Sequence, residues 1–185
     1  MNETLAIIKR RRSLREFLTE QIKDADLAAV LEAGTYAPTA ANQQPWHFTV
    51  IQNAKLLQEM SDDLIEHLQA AGDPRFAHIA GAKNFHVFHR APTAVLISGE
   101  ESALMPQADC AAAAQNMLLA AESLGLGSCW VNLSVHLFAG EKSGLWKQRL
   151  GVPDGYRPMY SIALGCKASE REAAPRREGV INYIK

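Results

Sequence analysis

Cysteine is scarce in this chain. Cys110, Cys129 and Cys166 form an odd set with neither disulfide-framework nor zinc-site spacing, usage that points to a reducing, cytoplasmic setting. Net charge is nearly absent as well: 19 Lys and Arg stand against 20 Asp and Glu, leaving -1. No overall field exists to hold a polyanion, so any basic site must be local. The N-terminus carries no apolar stretch followed by a cleavage pattern. The longest apolar-looking run, 111–124, is broken by Gln115, Asn116, Glu122 and Ser123, which excludes a spanning helix. Repeats and low-complexity segments are missing. Gly125-x-Gly127 lacks a third glycine and stands between a helix and a strand, the reverse of a dinucleotide-binding turn. His86 and His89 sit three apart without a carboxylate or cysteine at ligand spacing, so they read as a surface or partly buried pair rather than a metal site.

What is present suits a soluble globular protein: 185 residues with 48% apolar and 21% charged side chains, enough for one domain spanning 1–185. Asn2 can cap a first helix carrying Leu5 and Ile8, closed by an arginine run. Asp24 or Asp26 can cap a second, with Leu27, Val30 and Leu31 as its stripe and Gly34 as its stop. Strands are expected over 48–51, 93–98, 128–133 and 159–164, and helices over 54–71, 106–124 and 142–150. Segment 72–90 reads as a loop with a short helix. The tail from 165 is polar until Val180, Ile181, Tyr183 and Ile184, which ask for a partner surface. This order gives an α+β sheet covered by helices. The alanine-rich 106–124 helix fits either a monomer core or the heart of a symmetric dimer, and periodicity does not choose between them. Asp109 on it is a buried charge without an evident partner.

Chemistry concentrates in two places. Arg11, Arg12 and Arg15 bring three guanidinium groups within five residues around the Ser13 hydroxyl, the donor set a phosphate monoester needs. Alone, that run reads more simply as a solvated helix end. Two further features shift the weighing. Arg176 and Arg177 recur near the C-terminus, and the loop from Pro38 to Gln44 offers Thr39, Asn42 and Gln44, whose hydroxyl and amides suit the edge of a heterocycle. A nucleic-acid module would need a basic stripe with interleaved aromatics, which the chain lacks.

Arg11-Arg12-Ser13-x-Arg15, then Ala37-Pro38-Thr39-Ala40-x-Asn42-x-Gln44-Pro45-Trp46 leading into a strand, then Gly125-Leu126-Gly127-Ser128-Cys129-Trp130, resembles the nitroreductase family of flavin enzymes in order, spacing and chain length. The resemblance runs from about Thr4 to Arg177. It implies an α+β nitroreductase-like fold with a central, mostly antiparallel sheet flanked by helices, and an intertwined homodimer holding FMN at the subunit interface. By the same resemblance Arg11, Arg12, Ser13 and Arg15 grip the phosphate, ribityl and ring edge. Pro38, Thr39, Ala40, Asn42 and Gln44 reach the flavin from the partner subunit. Backbone amides of Val131, Asn132 and Leu133 approach its N5 and O4, and Arg176 and Arg177 return to the phosphate.

The implied activity is hydride transfer from NAD(P)H through flavin N5 to an electron-poor acceptor, a nitroaromatic or a quinone, in a ping-pong scheme. Arg15 would stabilise the reduced ring electrostatically, and no catalytic side chain is required. The alternative is a flavin protein of the same fold with a dedicated metabolite or a storage role. Thr39 replaces a common Ser, Leu133 replaces a common Gly, and Lys83 and Asn84 carry no assignment. Phe85, Phe88 and the nearby histidines fall where the family builds its substrate mouth.

Overall fold

The computed structural model describes residues 2–82 and 84–185; Lys83 lies outside them. Six α-helices are described: α1 (Glu3–Arg10), α2 (Asp24–Thr35), α3 (Ala54–Ala71), α4 (Pro74–Ala80), α5 (Pro106–Ser123) and α6 (Ser143–Arg149). With them run β1 (Trp46–Ile51), β2 (Thr93–Glu100), β3 (Leu126–Val131) and β4 (Tyr156–Cys166), and 3-10 turns over Ala40–Asn42 and Asn132–Phe138.

The four strands form one sheet in the order β1-β2-β4-β3, every pair antiparallel. Strand alternation divides the interior in two. On β2, Ala94 and Leu96 face Leu57, Met60 and Leu64 of α3 together with Phe88 and Trp146. Val95 and Ile97 face the opposite way, against Val30 of α2 and Cys110, Ala114 and Met117 of α5. Both faces are thus covered, and β2 is buried along nearly its whole length.

Several local expectations hold. The Asn2 side chain accepts the Leu5 N–H at 3.0 Å and caps α1, whose Leu5 and Ile8 stay about half exposed. α3 spans the expected residues, with the Asn53 side chain capping it through Leu56 N at 3.0 Å. Others shift. Gly34 does not stop α2; it lies inside it, where an added Cβ would sit 2.4 Å from Met117 Cε and 3.3 Å from the Phe48 ring. It is a close-packing glycine between α2 and α5. No side chain caps α2, with Asp24 and Asp26 inside its first turn. β3 begins at Leu126 and ends at Val131, so Asn132 and Leu133 belong to the following 3-10 turn. α5 buries one face through Cys110, Ala113, Ala114, Met117, Leu118 and Ala121, and leaves Ala108 and Gln115 exposed.

Candidate functional site

The arginine run leaves α1 as an extended strap along the free edge of β3. Ser13 bridges Ser128, with Leu14 N donating to Ser128 O at 2.9 Å, and Phe17 bridges Lys167 just past β4, with Leu18 N on Cys166 O at 3.0 Å. Two glycines permit this approach. A Cβ on Gly127 would meet Phe17 and Leu14 at 3.3–3.4 Å, and one on Gly165 would strike Pro92 Cδ at 2.8 Å and Phe17 Cδ1 at 2.9 Å.

The cations of this corner have different duties. Arg10 Nε donates to Glu122 Oε1 at 2.7 Å, and Lys167 Nζ donates to both Glu122 oxygens at 2.9 and 3.1 Å. Glu122 is only 4% exposed. Arg12 folds back on the end of α1, donating to the carbonyls of Lys9 and Arg11, while its Nε is buried without an acceptor. Arg11 and Arg15 make no side-chain hydrogen bond or ion pair among the described residues. Burial pushes the Cys129 thiol up, and the charges of Arg15, Arg11 and Arg171 pull against that shift. The strap therefore presents guanidinium groups to the buried end of β3, with one orphaned donor beside them. Such a corner fits the phosphate of FMN.

A tight turn adjoins it. His86 Nδ1 accepts from Phe88 N at 3.1 Å and Arg90 N at 3.4 Å, and His89 and Arg90 follow in the left-handed region at φ 55° and 57°. Burial lowers the His86 pKa, and burial with the charges of Arg15 and His86 takes that of His89 to about 4. His89 thus stays neutral at physiological pH within the field of Arg15. No group of three His, Cys, Asp or Glu is placed to hold a metal among the described residues.

The second half of the expected site is the loop before β1. Ala40 N donates to Asp109 Oδ1 at 3.2 Å, which supplies the missing partner of that buried carboxylate while leaving Oδ2 unpaired. Thr39 Oγ1 accepts from Gln44 N at 3.2 Å, and Gln44 Nε2 donates to Asn42 Oδ1 at 3.2 Å. Ala41, Asn42 and Gln44 all take positive φ, between 48° and 54°, a conformation that costs non-glycine residues about 1–3 kcal/mol each.

Within one chain the two halves stand far apart. The loop is tied to Asp109 near the start of α5 and the strap to Glu122 near its end, thirteen residues or about 20 Å along the helix axis. The sheet agrees. Trp46 pairs with Gly99 on β1's side, whereas Ser128 pairs with Leu164, and Leu164 with Thr93, three strands across and six residues along; that is about 25 Å on the diagonal.

Of the remaining expected residues, Ser13 is half-buried and Pro38 exposed. The Val131 carbonyl accepts from Ser134 Oγ at 2.8 Å. Asn132 is exposed and Leu133 half-buried. Arg176 and Arg177 lie in an exposed tail without regular structure. Sequence reasoning did not find Glu122 or Phe17. The signal for Glu122 was a carboxylate among the apolar residues of an alanine-rich helix, as at Asp109.

The fold is an α+β one, a helix-covered antiparallel sheet with partner-free guanidinium groups on a strap at one corner and a polar loop of positive φ at the opposite corner. The chain belongs to the Nitroreductase family, whose profile matches residues 8–166. It is similar to a nitroreductase of Bacteroides fragilis solved with bound FMN, at 33% identity and a TM-score of 0.93 over 100% of both chains. A protein of Archaeoglobus fulgidus provisionally named an NADH dehydrogenase/NAD(P)H nitroreductase is 30% identical over 93% of this chain and 90% of its own. The FMN reductase (NADPH) of Bacillus subtilis is 26% identical over 95% of this chain and 70% of its own.

Proposed function

We propose that this chain is an FMN-dependent NAD(P)H oxidoreductase working as a homodimer, with residues 1–185 serving as one flavin-binding domain and reducing an electron-poor acceptor such as a nitroaromatic or a quinone. One observation carries the reading: the partner-free Arg11 and Arg15 follow Arg10, which is bound to Glu122 near the end of α5, whereas the strained polar loop is bound to Asp109 near its start, so a two-ended ligand such as FMN meets both only when a second copy supplies the loop. Apolar surface left open supports the same assembly. Leu5, Ile8, Tyr36 and Leu124 are exposed, as are Val180, Ile181, Tyr183 and Ile184 of the tail. The relatives' NAD(P)H and FMN names agree with it, and three free cysteines suit a reducing cytoplasm.

In this reading Arg11, Arg12 and Ser13 bind the phosphate end, with Arg15 at the ring edge and Arg176 and Arg177 returning to the phosphate from the tail. Pro38, Thr39, Ala40, Asn42 and Gln44 of the partner subunit address the ring. Backbone amides of Val131, Asn132 and Leu133 lie toward its reactive edge. FMN, when bound, supplies the hydride acceptor and donor. The protein's share is to orient it and, through Arg15, to favour its reduced, negatively charged form. Purified protein is expected to be yellow, to release FMN rather than FAD on denaturation, and to bleach when mixed anaerobically with NADH or NADPH. A colourless protein that ignores added FMN overturns the proposal, and one that holds FMN but is bleached by neither nucleotide loses the reductase assignment.

A further inference from the structure

Three hydrogen bonds tie the loop before β1 to segment 100–109. Ala40 N donates to Asp109 Oδ1 at 3.2 Å, Leu104 N donates to Gln43 Oε1 at 2.8 Å, and Glu100 N donates to the Pro45 carbonyl at 2.8 Å. The left-handed residues fall between these ties: Ala41 and Asn42 between the first and second, Gln44 between the second and third. Of the three partners in segment 100–109, Asp109 alone contributes a buried charge. It is 5% exposed, its Oδ2 is sealed without a partner, and no cation pairs with it among the described residues. A carboxylate in the first turn of α5 gains from the helix dipole, but an exposed position would give that gain without desolvation. Burial with a single bond costs stability, and so does the left-handed backbone beside it. Neither feature contributes to stability, so the bond that joins them is explained by the shape it gives the loop.

We infer that Asp109 is a positioning residue: its Oδ1 holds the loop, before any flavin arrives, in the shape that presents Asn42 and Gln44 to the flavin of the second subunit. The inference rests on the FMN reading above. Asp109 touches no flavin itself. Its bond removes the ordering of the loop from the cost of binding. Because the loop addresses the ring and not the phosphate, its contribution is the same for flavins with and without phosphate.

FMN and riboflavin differ only in the phosphate, so the full-length protein is titrated with each, by quenching of flavin fluorescence, and its thermal midpoint is taken without flavin. Asp109→Leu keeps the approximate size of the side chain and removes the acceptor. It should lose about tenfold of its affinity for both flavins alike, leaving their ratio at the wild-type value. Asp109→Asn, which keeps an oxygen for Ala40 N, should restore most of that affinity. Ala40→Pro deletes the donor from the loop side, where the extended Thr39 at ψ 153° accepts a following proline. It should show the same loss, and it carries the test if Asp109→Leu does not fold. A wild-type protein that binds neither flavin overturns the FMN reading and the role of Asp109 with it. Undiminished affinity in Asp109→Leu and Ala40→Pro leaves the FMN reading standing and overturns the role of Asp109. A loss confined to FMN does the same, because the effect would then lie at the phosphate. A midpoint lowered in Asp109→Leu and Asp109→Asn alike, with affinity unchanged in both, would be the helix-dipole effect alone and overturns the role too.

Discussion

Glu122 is nearly sealed from solvent, and burial by itself pushes its carboxyl toward the neutral form. Hydrogen bonds and charge from Lys167 and Arg10 outweigh that and hold its pKa below the ordinary 4.5. The folded state therefore binds fewer protons than the unfolded one between the lowered value and 4.5, and stability rises with pH across that window. The ion pairs contribute in full above about pH 4.5 and are lost as pH falls through the folded pKa. Glu122→Gln should cost about 2 kcal/mol at pH 7, since it strips charge from a buried acceptor of two cations. The gap to wild type should narrow as pH falls below 4.5 and through the lowered folded value. Urea unfolding midpoints followed downward from pH 7 measure this, and a gap that grows as pH falls below 4.5 would mean that Glu122 is not held ionised by its partners. Asp109 contrasts with it at the other end of α5. One of its oxygens takes the Ala40 N–H and the other has no partner, so this carboxylate steadies the loop without being fully satisfied.

The strap carrying the arginines is an element only because the sheet receives it. Gly165 matters most here. Its absent Cβ leaves room for two rigid groups, Pro92 and the Phe17 ring, at 2.8–2.9 Å, whereas at Gly127 the corresponding contacts are 3.3–3.4 Å. Gly165→Ala should cost about 1–3 kcal/mol of stability through overpacking and loosen flavin, because Arg15 lies two residues from the displaced Phe17. Gly127→Ala should be clearly milder on both counts. Thermal midpoints and FMN release rates give the ranking, and equal effects at the two positions would show that the strap does not depend on this close approach. Such contacts explain what was legible in the sequence. α3 could be read from Leu57, Met60, Leu64 and Leu68, a local periodicity. Gly34 could not, because a packing glycine and a helix stop look alike until Met117 and Phe48 are seen beside it. The end of β3 was misplaced for a similar reason: Ser134 Oγ donates to the Val131 carbonyl and also pairs with Ser161 Oγ, and the latter partner is remote in sequence. The family motifs found the strap and the loop, but Phe17 acts through Lys167, 150 residues away.

Across the whole molecule, the two halves of the proposed site are separated by the length of α5, and this makes the dimer testable without any structure of it. If flavin is held by the strap of one subunit and the loop of the other, each site draws on both chains. Arg11→Ala with Arg15→Ala destroys the strap and leaves the loop. Asn42→Ala with Gln44→Ala spoils the loop and leaves the strap; Arg15, Asn42 and Gln44 are exposed and Arg11 is half-buried, so neither pair should unfold the chain. Each double variant alone should retain little FMN. Co-expressed, the two chains form mixed dimers in which one site combines both defects and the other combines the intact strap with the intact loop. With random pairing, about half of the dimers are mixed, and flavin content should recover to about a quarter of the wild-type amount per chain. Flavin absorbance per protein after purification through two different affinity tags, which selects the mixed dimers, should rise to about half of the wild-type ratio. No recovery in the tagged mixture would place strap and loop in service of different ligands, and full flavin in either double variant alone would remove that segment from the site.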